Sequence, residues 1–388
     1  MEIRKIKETE LEQSLELNQF AFQFEMTEED RINMERVMTP ENTWIAAEEN
    51  RLLSKLHILP ANVFVGGRKM KMGGVSGVAT WPEARRNGLV RKLLEESLKD
   101  MYERGHQLSF LFPFSIGFYR KFGWELFSDS LTWHLKREQL PEKGGIENGS
   151  FDRITIDDWP ILNNIYHTFA HRYNGAVERD ENWWRYVHRK IKKAQIAVYS
   201  NSDGEEKGYI IYNVKNKKMT VHEYASTDEE TRQQIWRFIA NHDSMINEAD
   251  VKPPIDDPTR YFLPDPKITE TRNSYFMARI IDIKGFLIQY PLKLEEGNSL
   301  TLHIRDENCN WNDGIFRVTS APNKNELTKK ENGENALSMS IRTAAAVFLG
   351  YLPVDIAFDT GKITGNKTEF QKLKQSVVTN PPFIYDFF

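Results

Sequence analysis

Residues 75–97 read VSGVATWPEARRNGLVRKLLEES, and the hydrophobic periodicity changes within this stretch. The first residues predict a strand that ends at Thr80, because Pro82 has no N–H group to continue a ladder. From Leu89 to Arg104 the apolar side chains fall at helical spacing, and Gly105 suits the position that follows a helix. The sequence therefore predicts a strand, a short turn and a helix.

The turn of this unit has the composition of an anion site. A helix that begins at Leu89 directs free backbone N–H groups and its positive dipole end at one point, which suits a pyrophosphate. Gly88 permits close approach to the backbone, and Arg85 and Arg86 can add charge-assisted hydrogen bonds. An ordinary strand-to-helix turn with solvated arginines is the alternative. The residues alone indicate a phosphate-bearing ligand.

The rest of the first segment mixes the two periodicities. Residues 11–24 have helical spacing, and 42–80 predict consecutive antiparallel strands with turns at 49–50 and 66–67. A strand, QLSFLFP, and a loop-to-strand unit, SIGFYRKFGWELF, follow the helix. Strand and helix patterns thus alternate through this segment.

Composition excludes some classes of protein. The 388 residues are enough for two or three domains, and 56 acidic against 52 basic residues leave a net charge of -4. Without long runs of one sign, a nucleic-acid or membrane-surface protein held by bulk charge is disfavoured. The start of the chain lacks the apolar stretch of a signal peptide, no segment has the length of a membrane span, and the single cysteine fits a reducing compartment. We expect a cytoplasmic protein without a membrane or nucleic-acid partner.

Two polar stretches suggest how the chain is divided. The first, REQLPEKGGIENGS at 137–150, separates two segments that each mix helix and strand patterns. The second, at 251–269, holds five prolines and predicts irregular chain. A third segment begins with YFMARIIDIKGFLIQY. We expect domains at 1–140, 141–283 and 284–388.

The first segment resembles the GCN5-related N-acetyltransferase (GNAT) superfamily. Its motif, Arg/Gln-x-x-Gly-x-Gly/Ala, is matched as Arg85-x-x-Gly88-x-Val90, with Val90 in place of the small residue. The strand before the loop and the downstream FYRKFGW at 118–124 also match in order and spacing. The resemblance implies acetyl-CoA as acetyl donor, and it implies these binding residues: Val78, Ala79, Thr80, Arg85, Arg86, Asn87, Gly88, Leu89, Val90 and Arg91.

Over its whole length the chain resembles the enhanced intracellular survival (Eis) family. That resemblance implies an α+β fold with tandem GNAT domains, of which the second lacks the loop after KMTVHEYAST, and a C-terminal domain like sterol carrier protein 2. In the third segment, LTLHIRDENCNWNDGIFRVT resembles the carrier hairpin with a turn at 306–313, and ALSMSIRTAAAVFLGYL resembles its helix. The family also implies a homo-oligomer, specifically a hexamer.

The resemblance assigns two catalytic groups. Acetyl transfer to an amine needs an acid for the leaving thiolate and a base for the ammonium proton. The Eis family places its acid at Tyr119 of the motif and uses the C-terminal carboxylate, here that of Phe388, as its base. Asp386 would add negative potential nearby. Tyr119 can instead be a packing residue, and the aromatic tail PPFIYDFF can be structural only.

The acceptor amine is expected to be cationic, so its pocket should be acidic and aromatic. Phe24, Glu25 and Glu28, with Glu29 and Asp30, lie after the first helix and are candidates, although such a cluster is also typical of a solvated helix start. The sequence does not choose among aminoglycosides, polyamines, lysine side chains and peptides.

Other chemically notable residues have simpler interpretations. His167 and His171 lack a third metal ligand, so we expect no metal site there. Trp183 and Trp184 are expected in an aromatic core, and Cys309 in a turn without a nucleophile pattern. We therefore predict an acetyl-CoA-dependent N-acetyltransferase that acts on small cationic amines by direct transfer in a ternary complex. The rival is a catalytically weak scaffold that binds a lipid or another small ligand.

Overall fold

The computed structural model describes residues 1–35, 38–188, 194–333 and 335–388. The side chains of Glu29, Asn33, Glu35, Val187 and His188 also lie outside the description. The chain forms two compact units. Unit 1 contains Met1–Ser128, Tyr275–Pro382 and Phe387–Phe388, and unit 2 contains Asp129–Ser274 and Phe383–Asp386.

The first part of unit 1 confirms the alternation of helices and strands. Its strands are β1 (Glu2–Lys5), β2 (Thr43–Glu48), β3 (Arg51–Val65), β4 (Arg68–Thr80), β5 (Leu108–Leu111) and β6 (Glu125–Leu126). Its helices are α1 (Leu11–Phe22), α2 (Glu28–Glu35), α3 (Leu89–Glu103) and α4 (Ile116–Arg120).

Unit 2 is a second sheet with helices. The strands of this part of the chain are β7 (Asp129–Lys136), β8 (Gly149–Ile154), β9 (Val177–Glu178), β10 (Gln195–Asn201), β11 (Glu206–Lys215), β12 (Lys218–Ser226), β13 (Glu248–Val251) and β14 (Thr269–Ser274), and all but β9 belong to the second sheet. Its helices are α5 (Trp159–Ala170), α6 (Glu181–His188) and α7 (Glu229–Ala240).

The chain then returns to unit 1. The strands of this part are β15 (Met277–Ile280), β16 (Ser299–Arg305), β17 (Gly314–Thr319), β18 (Glu326–Lys330), β19 (Leu337–Ser340) and β20 (Ile363–Thr364). Its helices are α8 (Ile283–Gln289), α9 (Ile341–Phe348), α10 (Val354–Asp359) and α11 (Lys367–Ser376).

The first sheet of unit 1 has strand order β1-β2-β3-β4-β5-β15-β6. Strands β4 and β5 are parallel, and α3 makes the crossover between them, as a parallel pair requires. The buried face of α3 includes Leu93, Leu94, Leu98 and Met101, which pack on the sheet. This packing fixes the start of α3 beside the end of β4.

Strand β15 corrects one expectation about the third segment. The stretch YFMARI does not join the later strands but pairs with β5 and β6 in the first sheet. Its main-chain groups complete the ladder at that edge, and its four residues are all buried. The later strands form a separate sheet of order β18-β17-β16-β19-β20, in which β16 and β17 form the predicted hairpin with the turn at 306–313.

The sheet of unit 2 has strand order β14-β7-β13-β12-β11-β10-β8. The chain enters this sheet at Asp129, ahead of the polar stretch 137–150. Strands β12 and β13 are parallel and α7 links them, so unit 2 repeats the crossover of unit 1. The Asp228 carboxylate accepts a hydrogen bond from Thr231 N at 2.8 Å and thereby caps α7.

Among the described residues, no helix combines the length and the apolar composition required to cross a bilayer.

Candidate active site

The turn between β4 and α3 has the predicted bounds. Strand β4 ends at Thr80, a single helical turn covers Pro82–Ala84, and α3 begins at Leu89. Arg86 and Gly88 both have positive φ, 65° and 72°, and only glycine adopts such a value without strain. The backbone therefore turns sharply just before the N-terminus of α3.

This turn forms one wall of a cavity of about 340 Å³ in unit 1. The other lining residues come from the segment around α4. The lining residues are Thr80, Ala84, Arg85, Arg86, Gly88, Leu89, Val90, Arg91, Phe114, Phe118, Lys121 and Phe122.

The cavity suits an anion with an apolar portion. Three arginines and Lys121 line it, and none of its described lining residues is acidic. The N-terminus of α3 adds a positive dipole end at the same wall. Arg85 Nε donates to Thr80 O at 3.3 Å, which ties its guanidinium to the mouth of the turn. These residues fit a phosphate-bearing group whose remaining surface contacts aromatic rings.

Most of the residues predicted to bind the donor line this cavity, and three do not. Val78 and Ala79 precede it on β4, and Ala79 is buried with its carbonyl accepting from Ser54 Oγ at 2.9 Å. Asn87 is exposed on the turn. The aromatic residues Phe114, Phe118 and Phe122 were not predicted as lining residues. The density of phenylalanine in FPFSIGFYRKFGW was their only signal in the sequence.

Tyr119 lies on α4, a short helix, whereas the sequence predicted a loop leading into a strand. Its ring is 2% exposed and lies 5.1 Å from the Phe114 ring and 5.3 Å from that of Phe118. Burial among these rings raises the pKa of the Tyr119 hydroxyl above its usual range. The phenol therefore stays protonated at neutral pH, and its ring packs among aromatic residues that line the cavity.

Phe388 also lies in unit 1, where its ring packs against β4. Its ring centroid is 4.9 Å from that of Phe276, and the side chain is 7% exposed. A Cβ atom on Gly74 would lie 2.6 Å from Phe388 Cε2, so only glycine leaves room for the ring. A glycine inside a strand often marks such a close approach.

A buried basic cluster lies between α1 and the first strands of the same sheet. Lys55 Nζ is 3.0 Å from both Ser14 Oγ and His57 Nε2, and His57 Nδ1 is 2.8 Å from Thr43 Oγ1. The Thr43 hydroxyl donates to the Thr39 carbonyl, so His57 Nδ1–H donates to Thr43, and the neutral ring accepts from Lys55 through Nε2. Burial lowers the pKa of Lys55 and of His57 well below their usual ranges.

The residues predicted for the acceptor do not form a pocket with the cavity. Glu25 and Glu28 are exposed, Phe24 is half-buried, and none of them lines it. Asp30 is buried and accepts from Thr27 Oγ1 at 2.7 Å, which makes it part of the cap of α2. The side chain of Glu29 is outside the described residues.

Asp386, which the sequence analysis expected to add negative potential near the chain end, belongs to a buried ion cluster of unit 2. It is fully buried in unit 2, where Arg179 Nε donates to it at 3.0 Å and Trp183 Nε1 at 2.8 Å. Arg179 also donates to both carboxylate oxygens of Glu223. The single positive charge of Arg179 is therefore shared between the Asp386 and Glu223 carboxylates.

The other residues that the sequence analysis singled out are two tryptophans, two histidines and Cys309. Trp183 and Trp184 are buried, as expected, and Trp184 Nε1 donates to Asn163. His167 and His171 lie with their Nε2 atoms 3.4 Å apart, and the described residues contain no group of three or more potential metal ligands. Cys309 is buried, and desolvation raises the pKa of its thiol to about 11, which disfavours a nucleophilic thiolate.

Comparison with known families matches three successive parts of the chain. An acetyltransferase (GNAT) domain model matches residues 2–127, a second acetyltransferase (GNAT) domain model matches 175–280, and a sterol carrier protein domain model matches 283–385.

Individual relatives match the chain over most of its length. An uncharacterized N-acetyltransferase of Streptomyces avermitilis is 23% identical over 352 residues, which cover 84% of this chain and 83% of the relative. A probable N-acyltransferase of Enterococcus faecalis is 26% identical with a TM-score of 0.92, covering 100% of this chain and 99% of that one. Eis1 from Mycobacterium abscessus has the same fold, at 18% identity and a TM-score of 0.84 over the whole of both chains.

Proposed function

We propose that this chain, which is a GNAT acetyltransferase with two GNAT domains and a C-terminal sterol carrier protein domain, transfers the acetyl group of acetyl-CoA to the amine of a small cationic acceptor. The transfer is direct, within a ternary complex. The acceptor class includes aminoglycosides, polyamines and lysine-like amines.

One observation carries the assignment of the donor. The cavity of unit 1 joins a helix N-terminus, three arginines and an aromatic wall in one place. Arg85, Arg86 and Arg91 with the N–H groups around Gly88 would hold the pyrophosphate, and Phe114, Phe118 and Phe122 would contact the rest of the donor. Bound acetyl-CoA supplies an acetyl thioester.

The reaction then needs two proton transfers from residues of this chain. A tyrosine hydroxyl is protonated at neutral pH, and burial of Tyr119 raises its pKa further, so it is the proposed donor to the leaving thiolate. The α-carboxylate of Phe388 is the proposed acceptor of the ammonium proton, with the ring buried against β4 as its anchor. Phe24, Glu25 and Glu28 remain the proposed contacts of the acceptor.

Residues 1–140 are the proposed catalytic domain, 141–283 a degenerate one, and 284–388 the carrier-like domain, except that β7 belongs to the sheet of unit 2 and β15 to the first sheet of unit 1. The N-terminus of α7 supports the second assignment, because Asp228 caps it and Glu229 and Glu230 follow in its first turn. A phosphate would meet three carboxylates there, and the arginine of the same turn, Arg232, is paired with Glu229 and Asp257. A hexameric assembly and a cytoplasmic location complete the proposal.

The experiment is a measurement of free CoA released when the protein is mixed with acetyl-CoA and each member of a panel of polyamines and aminoglycosides. We expect release that depends on both the protein and an amine. Release no faster than without protein, across the whole panel, would contradict the proposal.

A further inference from the structure

The C-terminal end of α4 is held by residues of the sterol carrier domain and of β15. Asn308 Nδ2 donates to Lys121 O at 3.1 Å, and Arg279 Nη1 donates to Phe122 O at 2.6 Å. Carbonyl groups at a helix end have no partner within the helix, so they need donors from elsewhere. Here one donor is an exposed side chain and the other is fully buried.

Arg279 is itself fixed in place. Its Nη2 atom lies 3.0 and 2.7 Å from the two oxygens of Asp306, and both side chains are fully buried. The guanidinium lies 5.7 Å from the centroid of the Trp124 ring. Gly123 has a φ of 88°, and a Cβ atom there would coincide with Arg279 Nη1, so the chain after α4 fits closely around the arginine.

Asp306 also organises the turn at 306–313. Its carboxylate accepts from the main-chain N–H groups of Asn308 and Cys309, at 3.1 and 3.2 Å, and from Asn312 Nδ2 at 3.0 Å. One carboxylate thus orients both donors to the end of α4: Arg279 directly, and Asn308 through its backbone. Loss of that carboxylate would leave Arg279 buried without its counter-charge.

Tyr119 is one turn away from these contacts. Its carbonyl accepts from Phe122 N at 3.0 Å and from Trp124 N at 3.3 Å, so the segment that Arg279 and Asn308 hold also fixes the backbone of Tyr119. A displacement of about 1 Å at a reacting group can lower a rate roughly 100-fold.

We propose that the turn at 306–313 of the sterol carrier domain positions the general acid, with Asp306, Arg279 and Asn308 as positioning residues for Tyr119. This rests on the proposed role of Tyr119 in acetyl transfer. The carrier domain is thereby a supporting layer of the acetyltransferase site.

The test uses Asn308→Ala in the full chain, because this exposed side chain can be shortened without opening the core. Asn310→Ala, an exposed asparagine of the same turn, is the matched control. Hydrogen exchange of a peptide covering 116–124 should be faster in Asn308→Ala than in the wild type or the control, with 89–103 unchanged. Equal exchange in all three proteins would overturn the proposal, whether or not the chain acetylates the amines tested.

Kinetics separate positioning from a general loss of structure. For Asn308→Ala we expect kcat to fall roughly 10-fold with the KM for acetyl-CoA unchanged. In a Tyr119→Phe background the same change should lower kcat little further, because the group it positions is gone. An equal fold-loss in both backgrounds would overturn the proposal. Asp306→Asn is a second, stronger variant, for which we expect the same pattern with a larger loss.

Discussion

At the scale of single residues, the Tyr119 hydroxyl is the proposed donor of a proton to the leaving thiolate. Tyr119→Phe removes the proton donor and keeps the ring that packs on Phe114 and Phe118. We expect kcat to fall roughly 100- to 10,000-fold with little change in the affinity for acetyl-CoA. Steady-state kinetics and calorimetric titration measure the two quantities. Tyr102→Phe, the same change on α3, is the control, and wild-type turnover in Tyr119→Phe would make the residue a packing residue only.

The buried Lys55 amine leads to a prediction about how the free energy of unfolding depends on pH. Because burial lowers its folded-state pKa, the unfolded chain binds more protons than the folded chain at pH values between the folded pKa and about 10.5, the usual lysine value. The free energy of unfolding should therefore rise with pH in this range, with a slope that approaches about 1.4 kcal/mol per pH unit. Lys55→Met should remove this component.

Chemical denaturation at pH 7 and pH 9.5 tests this prediction. The stability of the wild type relative to Lys55→Met should increase with pH. Lys99→Met, at a position 63% exposed, should show the pH dependence of the wild type. A parallel pH dependence for the wild type and Lys55→Met would mean that the buried amine is charged.

At the scale of elements, the start of α3 is the proposed phosphate site. Gly88→Glu should abolish acetyl-CoA binding, because a carboxylate would stand where the pyrophosphate is held. Gly105→Glu, at the other end of the same helix, is the matched control. The φ of Gly105 is 73° against 72° for Gly88, and a Cβ atom at either position meets open space. Both variants should lose similar stability, and only Gly88→Glu should lose binding in calorimetric titration. Binding retained by Gly88→Glu would refute the phosphate site.

Strand β4 makes room for the ring of Phe388 at Gly74. Gly74→Ala should displace that ring, since the new methyl group would lie 2.6 Å from Cε2. If the terminal carboxylate is the base, kcat should fall roughly 10- to 100-fold while the affinity for acetyl-CoA is retained. Gly144→Ala, where the methyl group meets nothing within 4 Å, should behave as wild type. Full activity in Gly74→Ala would separate Phe388 from catalysis.

Local patterns in the sequence predicted the elements of the site well. The end of β4 at Thr80, the start of α3 at Leu89 and the glycine after α3 all follow from periodicity and from residues that favour caps. The aromatic wall at Phe114, Phe118 and Phe122 was missed because density of aromatic residues alone does not separate a core from a cavity. Gly73 and Gly74 mark places where other side chains pack close to the backbone of β4, but the sequence analysis treated them only as part of a strand.

At the scale of the whole chain, the sequence could not predict which strands share a sheet. Strand β7 pairs in the sheet of unit 2. Strand β15 pairs with β5 in the first sheet of unit 1, although the two strands are far apart in the sequence. Such pairing depends on main-chain hydrogen bonds at strand edges, which leave no local pattern in the side chains. The partners of Asp386 were not visible either, because Arg179 and Trp183 are about 200 residues away from it in the sequence.

The most direct test of direct acetyl transfer uses acetyl-CoA labelled in the acetyl group, mixed with the protein and with the amine that gives the fastest CoA release. The label should appear on the amine nitrogen in proportion to the CoA released, and intact-protein mass spectrometry should find the protein unmodified throughout. Label that remains on CoA with every amine, or that accumulates on the protein before it reaches the amine, would contradict direct transfer in a ternary complex.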